Sequence, residues 1–212
     1  MPQPSRAPLE PRKLPVQARS AASVDAILKA TIQVLLKAGK ERLTTTSVAM
    51  RAGVSVGTLY QYFPNKSSLL QAALRRHMDE VTEAVERVCL EQRGSPLAEM
   101  ATALIHSFLA AKMRDMKTSI ALYSVSSDVD GVRIVQQMAG RSNGAIAAML
   151  ASSCELITKD PQLVASILQG AMAGVSKRLL ESDAPEKQLA PLREELVLLA
   201  CAYLAACSSP TG

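Results

Sequence analysis

Tryptophan is absent from the 212 residues, and aromatic residues together make up only 3%. A core so poor in rings must be aliphatic, built of Leu, Ile, Val, Ala and Met, a palette that favours helices over β-sandwiches. No apolar run reaches the ~18 residues that span a bilayer. Residues 1–19 have no apolar h-region, so no secretory signal is read there and a cytoplasmic protein is expected. Cysteine is scarce and scattered: Cys89, Cys154, Cys201 and Cys207 form no C-x-x-C pair. Cys201 and Cys207 are close in sequence, but a helix would place them on roughly opposite faces. Buried free thiols are the expectation, with redox sensing as the alternative. The two histidines, His77 and His106, are far apart and no acidic cluster accompanies them. Neither a metal nor a cofactor is expected.

What is present is apolar bulk and an uneven charge. Hydrophobic residues reach 48%, enough for a substantial core. Residues 1–66 hold ten Lys/Arg against three Asp/Glu, a net +7, and the remainder holds fourteen against sixteen, a net −2. A basic head on a near-neutral body suits polyanion binding by the head, and equally a solvated basic tail. The first nineteen residues interleave Pro2, Pro4, Pro8, Pro11 and Pro15 with Arg6, Arg12, Lys13 and Arg19. They read as a disordered basic arm, either a plain leader or one that touches phosphates.

Helical periodicity begins at Ser23, where Val24, Ile27, Leu28, Thr31 and Leu35 recur at three- and four-residue steps. Ser23 can cap this first helix and Gly39 can stop it near residue 38. Short helices are predicted over 45–52 and 56–62, then a long one over 66–92. Further helical patterns cover 97–113, 117–126, 132–156, 161–181 and 186–206, with breakers at each joint. No segment alternates as a strand does.

The stretch from Leu43 to Lys66 carries the chemistry. Thr44 can cap the first short helix, Val48 and Ala49 face inward, and Gly53 supplies the left-handed residue that ends it. Val54 sits beneath the turn, Ser55 caps the second helix, and Leu59 anchors its buried side. Two short helices about a glycine turn make a helix-turn-helix. The outer side of the second helix offers Gly57, Thr58, Tyr60, Gln61 and Tyr62. Gly57 in a first turn costs up to ~1 kcal/mol against Ala. Its bareness lets a phosphate approach the helix N-terminus. Thr58, Tyr60 and Tyr62 offer hydroxyls to phosphates, Lys66 adds charge, and Gln61 can bond adenine bidentately.

The string Ala52-Gly-Val-Ser-Val-Gly-Thr-Leu-Tyr-Gln-Tyr-Phe-Pro-Asn-Lys-Ser-Ser-Leu-Leu70 resembles the signature of the TetR (tetracycline-repressor) family. The resemblance covers residues 20–80, with the preceding amphipathic helix and the following long helix in the family's places. It implies an all-α fold: a three-helix DNA-binding head over 20–80 and a helical ligand-binding and dimerisation body over 81–212. It implies a homodimer on a near-palindromic double-stranded operator, acting as a repressor released by a small-molecule effector. DNA contacts are implied at Thr45 and Thr46 opening the second helix, at Ser55, Val56, Gly57, Thr58, Tyr60, Gln61 and Tyr62, and at Lys66. Thr46 departs from the family pattern, where several relatives carry a longer polar or basic residue.

The body carries no motif of its own. The resemblance implies that its last two helices, within 161–206, pair with a second copy. Gly170-Ala-Met-Ala-Gly174 and the Leu189, Leu192, Leu196, Leu199, Tyr203 series suit either that pairing or the monomer core. His106, Met113, Met116, Tyr123, Met138, Met149 and Met172 are candidates to line an effector site, though methionine fills cores as readily. The alternatives are a ligand-independent or protein-regulated DNA binder, and an enzyme fused to a DNA-binding head. No nucleophile sits in a recognisable setting, so no enzyme is expected.

Overall fold

The computed structural model describes residues 14–208, with side chains at 20–127 and 129–208. Described residues are helical almost throughout, in nine α-helices. In order these are α1 (Leu14–Arg42), α2 (Thr45–Ala52), α3 (Val56–Tyr62), α4 (Lys66–Glu91), α5 (Leu97–Met113), α6 (Met116–Val125), α7 (Gly131–Ala151), α8 (Pro161–Leu180) and α9 (Pro185–Cys207). The chain divides into two compact units within α4, at Leu69 and Leu70. The sole β feature among the described residues is one bridge between Ile157 and Ser208.

In the first unit, α1 buries Ile27, Leu28, Thr31 and Leu35, the face its periodicity marked. It begins at Leu14, well ahead of the Ser23 cap, so residues 14–19 belong to a helix rather than to the expected arm. Pro15 lies in the opening turn, where a missing N–H costs nothing, so proline alone did not forbid a helix there. The rest of the expected arm lies outside the described residues. Gly39, at φ 74° and ψ 169°, breaks α1 where a stop was expected, and a short helical stretch runs on to Arg42.

The second unit layers α5 against α9, α7 against α8, and α8 against α9. Its core is aliphatic with methionine: Met100, Leu104, Ile105, Leu109, Ile146, Met149, Leu168, Leu179 and Leu204 are all at most 4% exposed. The α7 pattern was expected to reach residue 156, yet the helix ends at Ala151. Ser152 returns its Oγ to the Met149 carbonyl at 2.6 Å. Glu155 is turned back to accept from the Leu97 N–H at 2.9 Å, serving the start of α5 instead of extending α7. Leu156 is left 71% exposed.

Two of the four cysteines, Cys89 and Cys207, are buried, whereas Cys201 is half-buried and Cys154 exposed. Burial, aided by neighbouring Glu86, pushes the Cys89 thiol up to about 12, which makes it inert as a nucleophile.

Candidate functional site

The helix-turn-helix is set by its caps. Thr44 accepts the Ser47 N–H at 3.1 Å while Ser47 Oγ accepts the Thr44 N–H at 3.1 Å, a reciprocal capping box at the start of α2. Gly53 takes φ 70°, ψ 27°, and its N–H returns to the last carbonyls of α2, so the left-handed turn is made by the residue that tolerates it. Ser55 Oγ accepts the Thr58 N–H at 3.0 Å and starts α3. Val48, Ala49 and Leu59 are at most 1% exposed and lock the two helices together, with Val54 half-buried at the turn. Arg51 Nε donates to Gln33 Oε1 at 2.6 Å and ties α2 to α1.

Each candidate DNA contact has a definite position. Thr46, Ser55, Val56, Gly57, Tyr60 and Gln61 are exposed, whereas Thr45, Thr58, Tyr62 and Lys66 are half-buried. Thr45 Oγ1 and Tyr60 Oη, each expected to contact DNA, lie 3.1 Å apart and join α2 to α3. Thr58 Oγ1 is 2.8 Å from Ser55 Oγ. The Lys66 ammonium donates to the Lys40 carbonyl just past the α1 break, so part of its hydrogen-bonding capacity is used within the head. The Tyr62 ring is tilted against Phe63 with centroids 6.5 Å apart. At Gly57 an added Cβ would meet only Ser55 Oγ at 3.8 Å, an ordinary contact. Among the described residues nothing requires glycine there.

In the second unit, a cavity of about 250 Å³ opens among five helices. α4 contributes Met78, Val81, Thr82 and Val85, α5 Phe108 and Lys112, and α6 Tyr123. α7 adds Val135, Met138, Ala139 and Ser142, and α8 adds Gln169, Met172, Ala173, Ser176, Lys177 and Leu180. A neighbouring space of about 340 Å³ shares Met78, Lys112, Tyr123 and Val135 and adds His77 and Ser119. Arg141 braces this region, reaching Glu86 with Nη2 at 2.8 Å and Nε at 3.1 Å, and Asp79 with Nη1 at 3.2 Å, so α7 is clasped to α4.

Of the seven residues expected to line an effector site, Tyr123, Met138 and Met172 line this cavity. Met113 and Met149 are buried in the close-packed core and Met116 packs against it. His106 is exposed on the outside of α5. The reason is helical phase. Phe108 and Lys112, four residues apart, share the cavity face, and His106, two residues before Phe108, is turned about 200° away.

The missed residue with most chemistry is Lys112. Burial holds its ammonium down from 10.5 to about 8, and its hydrogen bond goes to the Met78 sulfur at 3.3 Å. Its signal was a lone cation late in the apolar run of residues 104–113. Beside it, burial and the Lys112 charge lower His77 to about 4, so the imidazole is neutral near pH 7. Its Nε2 lies 3.1 Å from Ser119 Oγ, which itself donates to the Lys112 carbonyl at 2.6 Å.

Residues 96–204 match the family model described as Tetracyclin repressor-like, C-terminal domain, and residues 27–73 match Bacterial regulatory proteins, tetR family. The chain is 44% identical over 64 residues to the HTH-type transcriptional repressor KstR of Mycolicibacterium smegmatis, covering 30% of this chain and 31% of that protein. It is 34% identical over 110 residues to KstR of Rhodococcus jostii, covering 50% of this chain and 52% of that protein. The matches thus span about half or less of those relatives. A crystal structure of a TetR-family transcriptional regulator from Mesorhizobium loti superposes with a TM-score of 0.72 at 19% identity, over 90% of this chain and 99% of that one.

Proposed function

The chain belongs to the TetR family, and from that premise we propose that it is a DNA-binding transcriptional repressor that grips a near-palindromic operator as a homodimer and is released by a small molecule. The observation that carries the DNA half is Gly57. Helical glycine costs up to ~1 kcal/mol against Ala, and no neighbour among the described residues crowds its position. Its use is external: it clears the exposed start of α3, where Ser55 leaves free N–H groups and a positive dipole end, for a phosphate. Gln61, exposed on the same helix, reads a base edge. Thr45, Thr46, Ser55, Val56, Thr58, Tyr60, Tyr62 and Lys66 position the backbone.

Support for dimerisation comes from an uncovered stripe. Leu163 and Ile167 on α8 are 57% and 49% exposed, and Leu198 and Leu199 on α9 are 63% and 51% exposed. Gly170 and Gly174 continue the α8 stripe, and a Cβ at either would meet nothing within 4 Å. Their smallness serves no packing among the described residues, and exposed apolar and small side chains in this register suit a partner helix pair.

The cavity favours a ligand-released repressor over a ligand-independent one. α4 supplies four of its lining residues, and the same helix begins at Lys66 in the head. A ligand with differential affinity for two settings of α4 would shift operator affinity. A coupling of about 1–3 kcal/mol corresponds to 5–150-fold. No described helix is long and apolar enough to cross a membrane, and the reading places the protein in the cytoplasm with the DNA. The test is operator binding by Gln61→Ala. A loss of about 1–3 kcal/mol confined to sites keeping one particular base pair supports base reading. An equal loss on every sequence removes it.

A further inference from the structure

Resting on the effector reading above, we propose that the body cavity takes an amphiphile with an apolar body and a single anionic head, a monocarboxylate, whose head pairs with the Lys112 ammonium. The walls are almost wholly apolar, and Lys112 stands where the two adjoining spaces meet, with Met78, Tyr123 and Val135 lining both. Among the described residues its ammonium has one hydrogen-bond partner, the Met78 thioether, a weak acceptor that offsets no charge. A buried charge is normally paired, because desolvation is costly.

The other polar groups around the cavity are either neutral hydroxyls, as at Thr82 and Ser142, or already engaged. Ser176 Oγ donates to the Ala173 carbonyl at 2.9 Å, and Gln169 Nε2 to the Ala139 carbonyl at 3.0 Å. Lys177, at the rim, faces Glu181 at 4.0 Å and is 62% exposed. The cavity therefore presents one uncompensated cation set in hydrocarbon. A monoanion with an apolar tail satisfies both features. A neutral lipid leaves the charge unpaired, a cation adds repulsion, and a dianion brings one charge too many into an apolar space.

The experiment is calorimetric titration of the full chain, without DNA, using decanoate, decan-1-ol and decylammonium. The geometry predicts that decanoate binds about 10–100-fold more tightly than decan-1-ol, the range expected of a charge-assisted hydrogen bond. Decylammonium should bind more weakly still. Lys112→Met should erase the preference for decanoate while keeping decan-1-ol binding, and Lys112→Arg should keep the preference. Equal binding of the three probes, no binding of decanoate, or an undiminished preference in Lys112→Met would each overturn the proposal. Release of labelled operator DNA is measured separately. Lys112-dependent decanoate binding that leaves DNA affinity untouched would support this inference and overturn release by effector.

Discussion

Two residues break a local rule, and each break has a measurable signature. Gly57 weakens its helix without any packing need among the described residues, so Gly57→Ala should leave the fold intact and raise thermal stability by up to about 1 kcal/mol. Operator affinity should fall in the same variant, because a methyl group would stand where the phosphate approaches. A stabilised variant with unchanged DNA affinity would return Gly57 to accident. Lys112 is the second. Its value falls from 10.5 to about 8 on folding, so between those values the unfolded chain binds more protons. Stability owed to this group therefore rises with pH across that window, and the full penalty is present below about pH 8. Lys112→Met should be more stable than the parent near pH 7, by up to about 3 kcal/mol at 1.36 kcal/mol per pKa unit. The gap should close above about pH 10. Unfolding midpoints of both proteins over that range decide it, and a constant gap would mean that lost packing, not charge, sets the difference.

At the scale of elements, most boundaries were legible because caps and breakers are local chemistry. Thr44, Gly53 and Ser55 could be read directly, since each acts on groups within four residues of itself. The end of α7 was not legible, because Glu155 is drawn to the Leu97 N–H, 58 residues away in sequence. The cavity was half legible for a related reason. Methionine identity suggested it, but Met149, about three turns beyond Met138 on nearly the same face of α7, lies too far along the helix to reach the cavity that Met138 and Met172 line. The Thr45–Tyr60 hydroxyl pair was likewise invisible until α2 and α3 were set side by side. It yields a prediction. Thr45→Val and Tyr60→Phe should each cost about 0.5–1.5 kcal/mol of stability, and the double variant scarcely more than either alone. Additive losses in thermal unfolding would show that the two hydroxyls act apart.

For the whole molecule, the proposed function joins two observations, the positive balance of residues 1–66 and the uncovered α8–α9 stripe, in a dimer that would set two basic heads on one duplex. About three to five phosphates held per subunit give a log–log salt dependence of operator affinity with slope on the order of −5 to −9 per dimer. A slope near −3 would mean one head engaged. The central claim, that α3 reads DNA in paired major grooves, is tested most directly by hydroxyl-radical footprinting of the full chain on a sequence enriched from genomic fragments by repeated rounds of binding. The account predicts two symmetric protected patches about 10 base pairs, ~34 Å, or a whole multiple of that apart, both needing about 5–150-fold more protein to appear with Gln61→Ala. No enriched sequence, or protection spread evenly along the duplex and indifferent to Gln61, would contradict it.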